Sequence, residues 1–263
     1  MNLLKLNPEI TGGLLLLRPA IETPGFTIAF TTRVELSPRG PRFCNFGFYG
    51  RPGAAKSRKK LCEALGLPPR RLTVGEQVHS ATVAVVGEEH AGRGGLKAAL
   101  RIPKTDGLTT CIPGTPLAVM TADCVPVIIT DPERRAAAAV HAGWRGSAGG
   151  ILQNAVAAMR SSFGSSPRNL IAFIGPHIGP CCYVIGPELA EKISEPSALS
   201  HSEKGISLNL ALWNVSILRS AGLLSKNIHA TDLCTSCHTE LLYSYRADKK
   251  NIGSNASLVS IDA

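Results

Sequence analysis

The stretch 116–146 constrains the fold of this chain more than any other part of the sequence: PLAVMTADCVPVIITDPERRAAAAVHAGWRG. It holds three apolar runs, at 117–120, 125–129 and 136–140, each bounded by polar or turn-forming residues. Apolar runs of this length between turn signals are typical of buried strands. The stretch therefore predicts three buried strands that follow one another closely along the chain.

Two side chains with possible chemistry lie where these predicted strands begin or end. Cys124 follows Asp123 just before the second run, and His141 ends the third run and precedes a glycine-rich turn. Cysteine and neutral histidine are common zinc ligands. The alternative for Cys124 is a core position, because free cysteine is among the most buried residue types. The open turn after His141 favours a site.

His79 is a third candidate, in the motif EQVHS between two predicted strand pieces of the segment 72–86. Three protein ligands with one open position are the usual arrangement of a catalytic zinc site. The spacing of the three residues does not establish that they converge. Cys124 with His141 would equally suit a thiolate–imidazole pair for nucleophilic catalysis, and metal content separates the two hypotheses.

Further candidates are polar residues near these motifs. Asp123 suits a general base or a partner of a metal ligand, and equally a turn position. Arg33, Asn45 and Arg145 suit phosphate or sugar binding, because arginine offers a two-pronged donor and asparagine a donor–acceptor pair. Surface ion pairing is the alternative for the two arginines.

The remaining cysteines give weaker signals. The tail Cys234-Thr235-Ser236-Cys237-His238 matches the haem attachment pattern, but that chemistry requires export. His201-Ser202-Glu203 followed by Cys234 and Cys237 partly matches the zinc deaminases of bases, although Leu233 stands where a proline is expected. Cys181 and Cys182 are adjacent, so in a strand their side chains would diverge. We expect a structural loop there.

Composition bounds the class of protein. The chain has 263 residues, of which 44% are hydrophobic and 18% charged, and a net charge of +9 that favours anionic partners. The basic residues are dispersed, so we expect no nucleic-acid partner. The apolar run near the N-terminus is too short for a signal peptide or a membrane span. We therefore expect a cytoplasmic protein without a membrane partner and with reduced cysteines.

Strand and helix signals alternate along the rest of the chain, and one α/β-type domain is the simplest account. The predicted strands include Phe26–Thr32 and Leu170–Ile174. The predicted helices are Ala54–Leu65, a helix capped by Ser147 that runs to Phe163, Pro187–Ile193, and Leu208–Ala221. Two predicted loops are polar, Glu88–Lys97 and Ser194–Gly205.

Several blocks together resemble the YfiH/laccase-domain family, whose members were first called polyphenol oxidases and are associated with purine nucleoside phosphorylase activity. They occur here in the family's order: EQVHS, TDGLTT, LAVMTADCVPVIITDP, HAGWRG, IGPHIGPCCYVIG and DLCTSCHTELLYSYR. The match runs from about Thr31 to the C-terminus. Its most specific motifs are D-C-x-P, H-A-G-W-R-G and G-P-C-C-Y.

The resemblance implies an α+β fold, with two stacked mixed β-sheets flanked by helices in an α-β-β-α sandwich. It also implies a single domain spanning 1–263, with 1–24 as an N-terminal extension or strand and the core at about 25–263. This fold is shared with toxin-type cysteine deamidases. A Cys-His hydrolase or deamidase that uses Cys124 and His141 therefore stays open as an alternative.

For the site, the resemblance implies a catalytic Zn²⁺ bound by His79, Cys124 and His141. The implied activity is phosphorolysis of adenosine, inosine, guanosine and methylthioadenosine, with adenosine deamination as a second activity. The partners would be purine nucleosides and inorganic phosphate, and the protein a monomer or homodimer. We expect Arg33, Asn45 or Arg145 to orient the phosphate. Glu76 or Asp123 would carry protons in deamination.

Three departures from the family pattern bear on this expectation. Ser80 replaces the usual glycine after Q-V-H and is expected to narrow the mouth of the site. The block 43–47 keeps Asn45 and Gly47 of the usual S-L-N-L-G. The late T-G-R is Ile252-Gly253-Ser254, so an expected arginine is missing.

Two other classes of function stay open. One is a copper-binding oxidoreductase, since two histidines and a cysteine can hold copper. A laccase also needs a cluster of many histidines, and the chain has seven in all. The other is a non-enzymatic scaffold with a structural zinc, for which Cys181, Cys182 or His177 would supply a fourth ligand.

Overall fold

The computed structural model describes residues 2–48, 53–249 and 253–263 of the chain. Within these ranges the strands are β1 (Asn2–Leu3), β2 (Leu6–Thr11), β3 (Leu14–Pro19), β4 (Phe26–Ser37), β5 (Gly40–Phe43), β6 (Thr73–Val74), β7 (Val83–Val85), β8 (Gly107–Thr110), β9 (Leu117–Thr121), β10 (Val125–Asp131), β11 (Ala136–Ala142), β12 (Ile171–Ile174), β13 (Val184–Ile185), β14 (Leu199–Ser202), β15 (Gly205–Leu208), β16 (Ile228–Ala230) and β17 (Asn255–Ile261). The α-helices in the same ranges are α1 (Ala54–Ala64), α2 (Trp144–Ala148), α3 (Ile151–Phe163), α4 (Pro187–Ala190), α5 (Leu210–Ser220) and α6 (Tyr245–Asp248).

Most strands belong to two mixed sheets. The first sheet has the order β1-β16-β12-β10-β11-β8-β7, and the second has the order β2-β3-β4-β17-β9-β6 with β5 beside β4. Each contains both kinds of pairing: β12 and β16 are parallel in the first sheet, β6 and β9 in the second, and the central pairs are antiparallel. A small third sheet has the order β13-β15-β14.

Side-chain alternation along β10 shows how the layers stack. Val127 and Ile129 belong to a core cluster shared with α3 and α5, whereas Ile128 belongs to a cluster shared with the second sheet. Successive side chains of a strand point to opposite faces, so both faces of the first sheet are covered. This explains why the apolar runs of β10 and β11 are nearly continuous.

The second sheet is covered in the same way. Phe30 of β4 and Val119 of β9 face the first sheet, while Ala118 and Leu258 face outward and pack with α1 through Leu61. The order of layers is therefore helix, sheet, sheet, helix. The expected α+β fold with two stacked mixed sheets in a single domain is confirmed. No helix of the described residues is long and apolar enough to cross a membrane.

The described part of the segment 1–24 contributes directly to both sheets. β1 lies at the edge of the first sheet, and β2 and β3 form an edge hairpin of the second. Leu14 and Leu16 of β3 are almost fully buried. The core therefore begins ahead of the expected boundary at residue 25.

Three local predictions were wrong. Ser147 is not a helix cap: it lies inside α2, its hydroxyl donates to Asn214 Oδ1 at 2.8 Å, and Gly149 and Gly150 separate α2 from α3. The predicted loop 194–205 contains the strand β14, which pairs with β15 in a hairpin. The helix predicted over 187–193 is shorter than expected, since α4 forms a single turn and ends at Ala190.

Gly175 tests how tightly the two sheets pack. It follows β12, and a Cβ at this position would lie 2.2 Å from the ring of Phe30, which is buried in the other sheet. We expect Gly175→Ala to lower the free energy of unfolding by about 1–3 kcal/mol, because a buried aromatic ring has little room to move. Urea denaturation measures this value.

Gly87→Ala is the matched control. Its Cβ would meet the flexible carboxylate end of Glu89, and its φ of −90° suits any residue. We expect its unfolding free energy to stay within about 0.5 kcal/mol of the wild-type value. Equal losses in the two variants would show that the contact between Gly175 and Phe30 is not a tight constraint.

Candidate active site

A cavity of about 570 Å³ opens where β9, β10 and β11 meet their connecting turns. Its size is in the range of small-molecule binding sites. The lining residues come from several separate segments: Phe48, Gly75, Gln77, His79, Arg101, Met120, Ala122, Asp123, Cys124, His141, Trp144, Arg145, Ile178, Tyr183, Leu210, Tyr245, Arg246 and Ser254.

The three predicted ligands converge in this cavity. One donor atom each from His79, Cys124 and His141 lies within 4.8 Å of the others, and the two imidazole ring centres are 4.9 Å apart. His141 is buried at the end of β11, Cys124 is half-buried, and His79 is the most exposed of the three. The cluster therefore reaches from the end of the first sheet to the open space of the cavity.

Unusual backbone conformations occur at His79 and at the residue directly before Cys124. Asp123, in the turn between β9 and β10, has a φ of 89°, and His79 has a φ of 62°. Non-glycine residues rarely adopt such values, and they persist where surrounding contacts enforce them. Gly143 completes the arrangement, since a Cβ there would lie 2.8 Å from Cys124 Sγ and 3.3 Å from His79 Cδ2.

Asp106 is the contact that enforces the turn at His79. Its carboxylate accepts hydrogen bonds from the backbone amides of Val78, His79 and Ser80 at 2.8–3.1 Å and from the Ser80 hydroxyl at 2.7 Å. It also lies 2.8 Å from His141 Nδ1. Burial alone would raise the pKa of Asp106, but the hydrogen bonds from His141, Ser80 and Val78 lower it to about 2.

The charges of the cluster reinforce one another. Burial alone would raise the pKa of the Cys124 thiol, but the nearby His141 and His79 lower it. Burial alone would lower the pKa of His141, but the Cys124 thiolate and the Asp106 carboxylate raise it. The site therefore favours a thiolate, which is the form of cysteine that binds metals and acts as a nucleophile.

The donor set fits a zinc ion. His141 directs Nδ1 to the Asp106 carboxylate, which leaves Nε2 free to coordinate, and a carboxylate behind a ligating histidine is the usual support of such a ligand. Two imidazoles and a thiolate make three protein ligands, and the cavity lies on their open side. This is the ligand count of a catalytic zinc site.

Two further predicted residues also line the cavity. Asp123 accepts a hydrogen bond from the Thr235 hydroxyl at 2.6 Å through one oxygen and from the Arg246 amide at 2.6 Å through the other. Its carboxylate thus holds two segments of the cavity wall. Arg145 is exposed, and its guanidinium stacks on the ring of Trp144 at 4.3 Å.

The structure does not bring Arg33 to the cavity. Its guanidinium is buried, donates to the Thr239 carbonyl at 2.8 Å, pairs with Asp248 at 3.3 Å and lies over the ring of Tyr243. Its positive charge is used to hold the tail of the chain rather than a phosphate.

Asn45 and Glu76 are also absent from the cavity lining. The Asn45 side-chain oxygen accepts from the amides of Gly47 and Ser254, so it joins two loops of the backbone. The Glu76 carboxylate accepts from the amide of Lys104 at 3.3 Å. Residues next to them do line the cavity: Gly75 and Gln77 flank Glu76 in the sequence, and Ser254 is the residue whose amide donates to Asn45.

Asp106 was not predicted as a site residue, although it lies in the motif TDGLTT. Its position directly before the fully buried strand β8 could have indicated a role at the site. The prediction also missed Gln77, whose side-chain amide donates to the Met120 carbonyl at 2.7 Å and accepts from the Met120 amide at 2.8 Å, and so fastens the loop of His79 to β9. Tyr183 and Arg246, which line the cavity, gave no separate signal.

Cys181 and Cys182 lie in a turn, which agrees with the expected structural loop. Their side chains do not diverge, however, because both sulfurs approach Cys237 Sγ, at 3.5 and 3.4 Å. Cys234 belongs to the same group, called here the four-cysteine cluster. His201, by contrast, lies on the exposed strand β14 and belongs to neither this cluster nor the cavity.

Comparisons with known proteins give a consistent result. The family model described as multi-copper polyphenol oxidoreductase laccase matches residues 29–262. The chain is 32% identical over 240 residues to the purine nucleoside phosphorylase YlmD of Geobacillus stearothermophilus, covering 87% of this chain and 88% of that protein. It is 33% identical over 201 residues to the purine nucleoside phosphorylase YfiH of Escherichia coli, covering 74% and 75%.

A solved structure shares the whole fold. The crystal structure of YlmD from Geobacillus stearothermophilus matches with a TM-score of 0.90 and 29% sequence identity, and the match covers 99% of this chain and 100% of that one.

Asp106→Asn tests whether this carboxylate supports metal binding. The amide would lose the negative charge facing His141 and would accept fewer of the four hydrogen bonds from residues 78–80. We expect the affinity for Zn²⁺ to fall about 10–100-fold, as for other partners of a ligating histidine. Competition with a chromogenic chelator measures it.

Asp131→Asn is the matched control. Asp131 is also buried, lies at the far end of β10, and accepts hydrogen bonds from the amides of Glu133 and Arg134. Its substitution should leave the zinc affinity unchanged. A zinc affinity unaffected by Asp106→Asn would contradict the supporting role of Asp106.

Proposed function

The chain belongs to the YfiH/laccase-domain family, and we propose that it is a zinc-dependent purine nucleoside phosphorylase. The observation that carries the proposal is the convergence of His79, Cys124 and His141 at one cavity, with Asp106 behind His141. Two similar relatives carry the name purine nucleoside phosphorylase. The proposed substrates are inorganic phosphate and adenosine, inosine, guanosine or methylthioadenosine.

In this proposal His79, Cys124 Sγ and His141 Nε2 hold the zinc ion. When bound, zinc supplies a positive charge that stabilises negative charge on oxygen. Asp106 fixes the tautomer and orientation of His141. It also holds the turn that presents His79, through three consecutive backbone amides.

The cavity offers the groups that phosphorolysis requires. Arg101, Arg145 and Arg246 line it, and arginine matches the charge and shape of phosphate. Trp144 and Tyr183 offer aromatic surfaces for a purine. A phosphate oxygen would form a bond to the ribose anomeric carbon as the glycosidic bond to the purine nitrogen breaks and the electron pair leaves with the base.

Positioning is the main contribution of the chain in this reaction. The transition state resembles an oxocarbenium ion, so it is favoured when the phosphate is already held beside the anomeric carbon. We propose that Arg145 orients the phosphate, since its guanidinium is exposed at the cavity and fixed by stacking on Trp144. Arg33 and Asn45 have no part in this proposal, because their polar atoms bind the backbone elsewhere.

Adenosine deamination is the proposed second activity. A water molecule would add at the purine C6, and ammonia would leave after proton transfer. Asp123 is the favoured proton carrier of the two carboxylates considered, because it lines the cavity and Glu76 does not.

A Cys-His hydrolase is the second candidate function. It is favoured by one observation, the series Cys124, His141 and Asp106, in which a thiolate, an imidazole and an orienting carboxylate follow one another. The second imidazole of His79 at the same thiolate favours a metal instead. Loss of activity on alkylation of a metal-free protein would support the hydrolase.

The copper oxidoreductase and the scaffold receive less support. The seven histidines all lie in the described residues, and only His79 and His141 among them share a candidate metal group. No cluster of many histidines therefore exists in this part of the chain for a laccase. A scaffold with a structural zinc needs a fourth protein ligand, and neither His177 nor the four-cysteine cluster belongs to the group at the cavity.

Cys124→Ala tests the proposed function. We expect purified wild-type protein to release hypoxanthine from inosine only when phosphate is present, and the variant to lose at least about 100-fold in rate together with the cavity metal. Metal analysis and an assay of hypoxanthine release are run on the same samples.

Cys62→Ala is the control, because Cys62 is a buried cysteine of α1 on the far side of the second sheet. It should keep both metal and turnover. Wild-type protein that is fully loaded with zinc but inactive towards nucleosides and phosphate would contradict the proposal.

Arg145→Ala tests the proposed phosphate contact. We expect the KM for phosphate to rise about 10-fold or more, because a charge-assisted hydrogen bond is lost, while the KM for the nucleoside changes little. Arg160→Ala removes the same charge from an exposed position of α3 and should change neither constant. A change confined to the nucleoside KM would assign Arg145 to the base or sugar instead.

A further inference from the structure

The four-cysteine cluster is a second group of soft ligands, separate from the cavity donors. Cys181 and Cys182 come from the turn after the loop 175–180, and Cys234 and Cys237 from a C-x-x-C segment after β16. All four sulfurs lie within 4.8 Å of one another. The proposed function makes no use of them.

The distances suit a tetrahedral ion. Zinc–sulfur bonds of about 2.3 Å place the sulfurs of a tetrahedral site about 3.8 Å apart. Cys237 Sγ lies 3.5 Å from Cys181 Sγ and 3.4 Å from Cys182 Sγ, so a slight expansion would admit the ion. A turn, unlike a strand, allows two adjacent cysteines to point to the same side.

A backbone amide already points at one sulfur of this cluster. The amide of Gly179 donates to Cys234 Sγ at 3.2 Å. Hydrogen bonds of this kind orient metal ligands and stabilise their charged form.

We propose that Cys181, Cys182, Cys234 and Cys237 bind a structural Zn²⁺ ion as four thiolates. Soft thiolate ligands select zinc among the common divalent ions, and four protein ligands leave no open position for catalysis. Binding releases the thiol protons to solvent, so no oxidant or reductant is required. The net charge of +9 favours retention of a site that carries four thiolates.

Such an ion would join two walls of the cavity. One wall is the loop that carries Ile178 and Tyr183, and the other is the tail segment that carries Arg246. The two segments already touch, since the Thr235 amide donates to the His177 carbonyl at 2.9 Å and the Arg246 guanidinium donates to the Cys182 carbonyl at 3.3 Å. The ion would stabilise the cavity without touching the substrate.

Metal counting tests this proposal on the full chain. We expect about two zinc ions per chain in wild-type protein, about one in Cys237→Ser, about one in Cys124→Ala, and about none in the double variant. Cys111→Ser is the matched control, since Cys111 is an exposed cysteine outside both groups, and it should keep both ions. This count does not depend on turnover, so failure of the phosphorylase proposal would leave it intact.

Zinc-edge X-ray absorption on Cys124→Ala identifies the ligands of the remaining ion. We expect a shell of sulfur only, at about 2.3 Å, and a lower Tm after its removal by a strong chelator. The measurement needs no substitution within the cluster, so it holds even if Cys237→Ser does not fold.

Two results would overturn the proposal. One is a single zinc ion per wild-type chain that Cys124→Ala removes completely. The other is a disulfide between two cysteines of the cluster, detected as six free thiols in the denatured, unreduced wild-type protein and assigned by peptide mapping.

Discussion

The buried carboxylate of Asp106 is the contact on which the site depends. A buried charge is tolerated only when hydrogen bonds and opposite charge compensate it, and here four donors from residues 78–80 and the ring of His141 do so. These contacts join the loop before β7, the start of β8 and the end of β11. One side chain therefore determines both the unusual backbone at His79 and the ring orientation of His141.

The sheets determine where such a carboxylate can lie. β10 and β11 are buried on both faces by the stacked sheet and the helices, so polar side chains are excluded from their middles. Reactive polar side chains can therefore lie only at the ends of these strands. Cys124 and His141 lie at the same end because β10 and β11 are antiparallel, with Pro126 opposite His141. The packing of the core thus determines where the cavity lies, and most of its lining residues come from loops and turns at the ends of the strands and helices.

The core and the three candidate ligands could be predicted from the sequence, because both leave local patterns. The apolar runs at 117–120, 125–129 and 136–140 became β9, β10 and β11, and the candidate ligands Cys124 and His141 lie at the ends of these strands. Contacts between distant segments left no such pattern. Arg33 was expected at phosphate but pairs with Asp248, and Asp106 was missed, because both depend on residues far along the chain. The grouping of Cys181 and Cys182 with Cys237 was not predicted for the same reason, since these cysteines are about 55 residues apart along the chain.

Two of the three departures from the family pattern can be located at the site, Ser80 behind His141 and Ser254 in the cavity wall. Ser80, where the resemblance leads us to expect a glycine, gives Asp106 a hydroxyl donor at 2.7 Å that glycine cannot supply, so it adds to the contacts that hold the carboxylate behind His141. Ser254, where the resemblance leads us to expect an arginine, lines the cavity. It lies close to Gly47, since a Cβ added there would be 2.5 Å from Ser254 Oγ. Ile252 of the same motif lies outside the described residues. A short side chain there leaves space in the cavity and provides no positive charge.

The arginines that line the cavity, Arg101, Arg145 and Arg246, must then supply the positive potential that an anionic substrate requires. Because they come from three separate segments, that potential depends on the loops being held together, as Asp123 does through Thr235 and the amide of Arg246.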